Sequence, residues 1–234
     1  MKKGIVIGCI VLAVIGGIIV QQYNHVTTHL SKSVQMAGHS VKTVFETQYH
    51  LNNEEVESME TTLNQLDQFI KESFDEIAVT NAVDGEKIKK RIAHMQRVSF
   101  LSLELMKAYE EAEGIRFTKE QAKELMLAAY LHDIRKYADG NHAKQGAKYV
   151  LEKLPEYMTI DVAQLDHISQ LIKYHSDPLS EKQMTKLGDY AILAQLLQDA
   201  DTADKIINRG ESDEEIAKLN LSSSVNLVAF YQGK

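Results

Sequence analysis

Apolar residues recur at near-helical spacing along most of this chain, which predicts a protein built from amphipathic helices. In residues 23–83 the pattern forms two stretches, and a polar break separates them at Leu51-Asn52-Asn53. We therefore expect this segment to form a helical stalk with one interruption. The positions that carry the pattern are Val26, Leu30, Val34, Val41, Val44, Phe45, Val56, Met59, Leu63, Leu66, Phe69 and Ile70.

Capping residues indicate where the next two helices begin and end. Asp84 is suited to an N-cap and Gly114 to a C-cap, so a helix is expected between them. Thr118 and Gln121 have the spacing of a capping box, which predicts the start of another helix. We expect that helix to end near Tyr137.

Three more helices are expected at about 142–153, 161–175 and 187–208, with Pro155 and Pro178 as breaks between them. The chain has only two prolines and no tryptophan, and it is rich in strong helix formers. This composition predicts an almost entirely helical protein.

Residues 4–20 contain no charged side chain. As a helix they would span about 25 Å, at the short end for crossing a bilayer. A secretory signal peptide is the alternative, but the segment ends in Val20-Gln21-Gln22 without a small-x-small cleavage site. We therefore expect an uncleaved membrane anchor. The only cysteine, Cys9, lies in this segment, so a disulfide within one chain is excluded.

The net charge of −7 argues against nucleic acid as a partner, because phosphate backbones are bound by clustered lysine and arginine. The basic run from Lys87 to Arg91 is interrupted by Ile88. Such a run is typical of the solvated first turns of a helix, and we interpret it in that way.

Four polar residues stand out on helical segments: His94, the pair His132-Asp133, and Asp201. His94 shares a helix face with Val98, which directs it toward the core. A single buried histidine is usually a hydrogen-bonded interior group. Burying several ionisable side chains is unfavourable unless they pair or bind a metal. Imidazole and carboxylate together suit divalent metals, so the four residues predict a metal site that leaves positions for water and a phosphate oxygen.

Four segments, in this order, resemble the HD-domain superfamily of metal-dependent phosphohydrolases: "AHMQRVSFLSLEL", "LAAYLHDIRKYADGNHAKQGAKYVL", "IKYHSDP" and "LLQDADTADKI". The resemblance covers about residues 86–208. It is most similar to a subgroup with "LLHDI", "HS" and "QDADRLD", whose members hydrolyse nucleotides. Thr202-Ala203 stands where that subgroup has Arg-Leu. This departure bears on the substrate more than on the metal.

The resemblance implies that His94, His132, Asp133 and Asp201 are the metal ligands. Asp201 is preferred over Asp199 and Asp204, because the family ligand is the aspartate of an Ala-Asp pair, here Ala200-Asp201. The other two aspartates are expected to face solvent or to support the ligands. The ion would be Mn, Mg, Fe, Co or Ni.

His142 and His175 determine the subtype. In some HD enzymes, histidines at about these places complete a second metal site, and in others they contact phosphate. His175 is followed by Ser176, where many dinuclear relatives have another histidine. We therefore expect one ion rather than two. His167 is interpreted as a structural histidine.

Three cations near the ligands are candidates for binding phosphate: Arg97, Arg135 and Lys136. The alternative for each of them is a surface cation. Lys136 has a further argument, because it matches the lysine of the family's His-Asp-Ile-x-Lys run. The resemblance thus implies Asp133 and Lys136 as catalytic residues, with the other two binding phosphate.

The sequence as a whole predicts an all-α protein with a membrane anchor at 1–22, a helical stalk at 23–83, an HD-domain helical bundle at 84–219 and a tail at 220–234, docked or frayed. The start of the stalk, "YNHVTTHLSKSVQMAGHSVKTVFETQYHL", faintly resembles the LemA family of anchored helical proteins.

We expect a phosphohydrolase of a nucleotide or similar small phosphate ester. The alternative is a non-catalytic HD-type module that binds a nucleotide or a protein and regulates through the stalk. The location would be the cell membrane, with a single pass. Lys2 and Lys3 place the N-terminus in the cytoplasm and the HD domain outside, whereas nucleotide substrates place that domain inside. The sequence leaves the side open.

Overall fold

Helices make up all the regular structure that the computed structural model describes, which covers residues 35–209 and 213–232. They are α1 (Gln35–Gln48), α2 (Asn53–Asn81), α3 (Gly85–Glu113), α4 (Lys119–Leu131), α5 (His142–Lys153), α6 (Val162–Lys173), α7 (Glu181–Leu187), α8 (Tyr190–Arg209), α9 (Asp213–Ile216) and α10 (Ser222–Tyr231). A 3₁₀ turn, Leu154–Glu156, follows α5. The all-α prediction is confirmed for the described residues.

The predicted membrane anchor lies outside the described residues, as do the first residues of the predicted stalk. Among the helices of the described part, none is both long enough and apolar enough to cross a bilayer.

The predicted caps of α3 and α4 are confirmed. The Asp84 carboxylate accepts a hydrogen bond from the backbone of Glu86 at 2.6 Å, and Gly114 closes α3 in the left-handed region with φ 68°. Thr118 and Gln121 form the reciprocal capping box of α4. These local bonds satisfy backbone groups that a helix end leaves unpaired, which explains why the short-range signal was sufficient.

The predicted end of α4 near Tyr137 is wrong, because the helix stops at Leu131. Beyond it, the backbone N–H of Ile134 bonds to Leu131 and that of Lys136 bonds to Asp133, three residues back instead of four. This tighter winding takes His132 and Asp133 off the regular helix and leaves both side chains buried. The end of α4 is therefore a turn that can aim two adjacent polar side chains at one point.

The predicted helix at 187–208 is observed as α8, and a separate short helix, α7, precedes it. Gly188 divides the two with φ 55°, a conformation that favours glycine. The predicted helix at 161–175 ends two residues early, so that His175 lies in the turn after α6.

Helix α3 lies at the centre and packs against α1, α2, α4, α8 and α10. Helix α4 is buried almost all round, as its continuous apolar run from Leu125 to Leu131 requires. The metal-ligand candidates thus lie on α3 (His94), in the turn that ends α4 (His132 and Asp133) and on α8 (Asp201), and α3 packs against both of the other helices in the core.

The described part of the predicted stalk packs onto this bundle. Phe45 of α1 and Phe69 and Phe74 of α2 are at most 1% exposed and belong to the same hydrophobic core as α3 and α4. Phe69 also stacks on Tyr149 of α5, with the ring centroids 5.6 Å apart. The amphipathic faces that the sequence shows in this segment are therefore covered by the bundle itself.

The tail is docked over its described residues. Helix α10 packs on α3 and α8, and its start is tied to α8 by the buried carboxylate of Asp199. That carboxylate accepts from the backbone N–H groups of Asn220 at 2.7 Å and Leu221 at 3.1 Å. Neither alternative for Asp199, facing solvent or supporting the metal ligands, describes these contacts, because the buried carboxylate supports the C-terminal segment.

Candidate metal centre

His94 lies in the middle of α3 and is 2% exposed. Its Nδ1 donates to the carboxylate of Asp204 over 2.7 Å, which leaves Nε2 as the nitrogen that faces the site. Nε2 is 3.0 Å from Oδ1 of Asp201. Burial lowers the pKa of His94, but the two carboxylates raise it more, and the net result is a pKa above the ordinary value. The flanking charges therefore draw a cation to Nε2, whether a proton or a metal.

His132, just after the end of α4, is fully buried, and its pKa is shifted in the opposite direction from that of His94. Its Nδ1 donates to the backbone carbonyl of Ala129 over 2.8 Å, so Nε2 carries the lone pair. Burial lowers the pKa of His132 to about 3. The ring is consequently neutral at ordinary pH, and its Nε2 has no hydrogen-bond partner among the described residues. A buried, unpaired imidazole lone pair is what a metal ligand requires.

His94, His132 and Asp133 form the first group that fits a metal ion, with one ligand atom from each. Oδ2 of Asp133 is 3.8 Å from Nε2 of His94 and 3.6 Å from Nε2 of His132. Two atoms that each lie about 2.1 Å from one ion are at most about 4.2 Å apart, and these separations satisfy that limit. Asp201 flanks the group, since its Oδ1 is 3.0 Å from His94 and 3.8 Å from His132.

Asp133, His142 and His175 form a second group. Oδ1 of Asp133 is 3.2 Å from Nε2 of His142 and 3.6 Å from Nε2 of His175, and the two nitrogens are 3.3 Å apart. His175 donates its Nδ1 proton to the carbonyl of Ile172 over 2.7 Å, so its Nε2 also presents a lone pair. The two groups share Asp133, which turns one oxygen to each.

Three cations surround these carboxylates. Arg91 donates to Oδ2 of Asp133 over 2.5 Å, Lys136 lies 3.6 Å from Oδ1 of the same residue, and Lys205 donates to Asp201 over 2.9 Å. Burial alone would raise the pKa of Asp133, but it lies well below its ordinary value, because the hydrogen bond from Arg91 and the nearby charge of Lys136 favour the carboxylate. The carboxylate is therefore ionised and can accept a cation.

The three residues predicted to bind phosphate have different surroundings. Lys136 lies at the site, with its Nζ 3.3 Å from Nε2 of His142. Arg97 pairs in two places with Asp204, at 2.6 and 3.0 Å. Arg135 is placed elsewhere, because its guanidinium contacts Glu76 at 3.4 Å and lies 4.6 Å from the ring centroid of Tyr149.

Two remaining predictions concern Asp204 and His167. Asp204 is fully buried and supports His94, so it does not face solvent. His167 bonds to Glu124 at 3.2 Å and stacks on Tyr190, apart from both groups. Its interpretation as a structural histidine agrees with these contacts.

A cavity of about 450 Å³ opens onto His94. It lies within the size range of small-molecule sites. Its polar lining consists of Lys87, Lys90, Arg91, His94, Arg97 and Tyr137. Interpreting the basic run as a merely solvated helix face missed this arrangement. The available signal was spacing: residues 87, 90 and 91 precede residue 94 by seven, four and three positions, which places them on one helix face.

Residues 91–206 match the HD domain family. The HD-domain match begins at Arg91 and contains every residue of both groups, while α1, α2 and α10 lie outside it.

Among solved structures, this fold is similar to a predicted HD superfamily hydrolase from an uncultured Thermotogales bacterium. The two chains are 21% identical, the match covers 73% of this chain and 85% of the other, and the TM-score is 0.47. Among curated proteins, none is similar enough in sequence to count as a relative. None of these comparisons bears on the resemblance of residues 23–51 to the LemA family.

Proposed function

We propose that this protein is a metal-dependent phosphohydrolase that acts on a nucleotide or a similar small phosphate ester. The observation that supports it most directly is the pair of adjacent groups, His94-His132-Asp133 and Asp133-His142-His175, joined through one carboxylate. The HD-domain match over these residues supports a hydrolase of this superfamily.

The residues suited to hold the metal are His94, His132, Asp133 and Asp201 on one side, and His142 and His175 on the other. The sequence predicts one ion, but the geometry of the second group supports two. Nε2 of His142, Nε2 of His175 and Oδ1 of Asp133 lie within 3.6 Å of one another. Three possible ligand atoms so close together can share one ion, in addition to the ion of the first group.

A bound divalent metal would supply Lewis acidity at a phosphoryl oxygen. The residues of the chain would do the rest. Asp133, or the neighbouring Asp201, would accept a proton from the attacking water. Lys136, next to Asp133 and His142, would meet the negative charge that develops on the phosphoryl oxygens. Arg97 is held rigid by Asp204 at the edge of the cavity, where it can orient the substrate.

The experiment is a phosphate-release assay on the purified protein with nucleoside mono-, di- and triphosphates and p-nitrophenyl phosphate. Each reaction is run with Mn²⁺, Mg²⁺, Co²⁺, Ni²⁺ or Fe²⁺, and again with excess chelator. Metal-dependent release that the chelator abolishes is the expected result. Bound metal with no release from any of the probes would favour the non-catalytic module that senses a nucleotide or protein.

A further inference from the structure

The cavity beside His94 has an excess of positive charge. Arg91 and Arg97 line it, but each already pairs with a carboxylate, Asp133 and Asp204 respectively. Lys87 and Lys90 line it as well, and among the residues that the structure describes neither has an ion-pair partner. The described residues place no carboxylate in the lining. Two lysine charges are therefore available to a ligand.

These lysines differ from their neighbour on the same helix. Lys89 is turned away from the cavity and pairs with Glu86 at 2.8 Å. Lys87 and Lys90 share the face of His94, about two turns and one turn before it, at about 5.4 Å a turn. An anion that is held at His94 and extends along α3 would meet Lys90 first and then Lys87.

A second observation comes from the interior of the cavity wall. The Nε of Arg91 is buried and has no hydrogen-bond partner among the described residues, although the Nη1 of the same guanidinium is bonded to Asp133. A guanidinium has donors in a planar fork that matches phosphate oxygens. Arg91 therefore holds Asp133 with one edge of its fork and leaves a second donor without a partner at the cavity wall.

We propose that the substrate carries at least two adjacent phosphate groups, as in a nucleoside di- or triphosphate, and that Lys87 and Lys90 bind the phosphate next to the reacting one. This inference rests on the proposed function. The reacting phosphate lies at the histidine-aspartate groups, and the rest of the molecule lies in the cavity with its phosphates against α3. Lys87 and Lys90 thus set the preference for substrates with more than one phosphate.

Cleavage of such an anhydride is balanced by one water molecule. The water oxygen forms a bond to the reacting phosphorus, and the bond from that phosphorus to the bridging oxygen breaks, with its electron pair passing to that oxygen. The proton of the water passes to Asp133 or Asp201 and then to the released phosphate or to solvent. Both products end in phosphate, and the positive charge of the lysines stabilises the one that leaves.

The test compares the double variant Lys87→Gln/Lys90→Gln with the control Lys89→Gln, which removes one positive charge from the same helix outside the cavity. The measured quantity is the selectivity, the kcat/KM for ADP over that for AMP. Because hydrogen bonds to charged phosphate are strong, we expect the double variant to lower this ratio about tenfold and the control to leave it within about twofold. An equal ratio in all three proteins would overturn the proposal while phosphohydrolase activity remained.

Binding gives a readout that does not depend on turnover. Titration calorimetry of the metal-loaded protein with pyrophosphate and with inorganic phosphate should show the double variant losing about tenfold in affinity for pyrophosphate relative to phosphate. Failure of the proposed function would instead leave all probes unhydrolysed with this difference in binding intact. Equal affinities of wild type and double variant for pyrophosphate would contradict the assignment of Lys87 and Lys90.

Discussion

Oδ1 of Asp133 lies 3.2 Å from Nε2 of His142, while the other oxygen of the same carboxylate accepts a hydrogen bond from Arg91 and faces His94 and His132. One side chain therefore connects the helix end that carries the His-Asp pair with the start of α5. The consequence is that the second histidine group depends on a ligand of the first.

The number of metal ions follows from this relationship. If both groups hold an ion, the wild type should contain two equivalents of metal, and His142→Ala and His175→Ala should each contain one and lose turnover, because two-metal hydrolases need both ions. Elemental analysis after gel filtration measures this. His167→Ala, which removes a histidine outside both groups, is the control and should keep two equivalents. One equivalent in the wild type and in both variants would show that His142 and His175 contact phosphate instead.

The orientation of His94 should depend on Asp204. Asp204→Asn removes the charge that supports Nδ1 of His94 and pairs with Arg97. Loss of such a support lowers metal affinity roughly 10- to 100-fold. Competition with a fluorescent chelator measures the affinity, and Asp166→Asn, an exposed aspartate on α6, provides the control. Unchanged affinity in the first variant would mean that His94 is oriented by packing alone.

Helix α2 should contribute to the stability of the metal-binding bundle. Phe69→Ala removes a fully buried ring that stacks on Tyr149, and we expect it to lower the free energy of unfolding by about 3 to 5 kcal/mol. Asn64→Ala, at an exposed position of the same helix, should change it by less than about 0.5 kcal/mol. Urea unfolding followed by circular dichroism distinguishes them. Equal stability of the two variants would mean that residues 53–81 form an independent stalk.

The apolar segment at the N-terminus should be dispensable for the site. Every candidate ligand lies beyond residue 86, so a protein of residues 23–234 should be soluble without detergent and should keep its metal and activity. Membrane fractionation of the full chain, with this truncated form as the comparison, tests the anchor at 4–20. Loss of folding on truncation would show that residues 1–22 belong to the domain.

The sequence predicted those parts of the molecule that local bonds determine. The caps at Asp84, Gly114 and Thr118 act within one helical turn, so they can be identified from short spacings. The end of α4 was missed because its tight turn after Leu131 serves to bury His132 and Asp133 together, and a periodic apolar pattern does not reveal such a requirement. Local signals are therefore least reliable where the backbone leaves the regular helix to build the site.

Tertiary contacts account for two other differences between the prediction and the structure, one in the segment around Phe69 and one at the cavity lined by Arg91. Phe69 and its neighbours form an amphipathic face that fits a stalk or a bundle equally well, and only the presence of Tyr149 opposite it decides between them. The role of Arg91 was hidden for a similar reason. A basic run at a helix start is usually solvated, and the cavity that makes this one different is assembled from α3 and the turn that contains Tyr137.

The most direct test of the metal-dependent mechanism is to measure metal content and phosphate release together in His132→Ala, Asp133→Ala and the double variant. Because His132 and Asp133 supply ligand atoms to the first group and Asp133 to both, we predict that each single variant loses bound metal and phosphohydrolase activity. The helical content by circular dichroism should stay near that of the wild type. Full activity in a metal-free double variant would contradict the account.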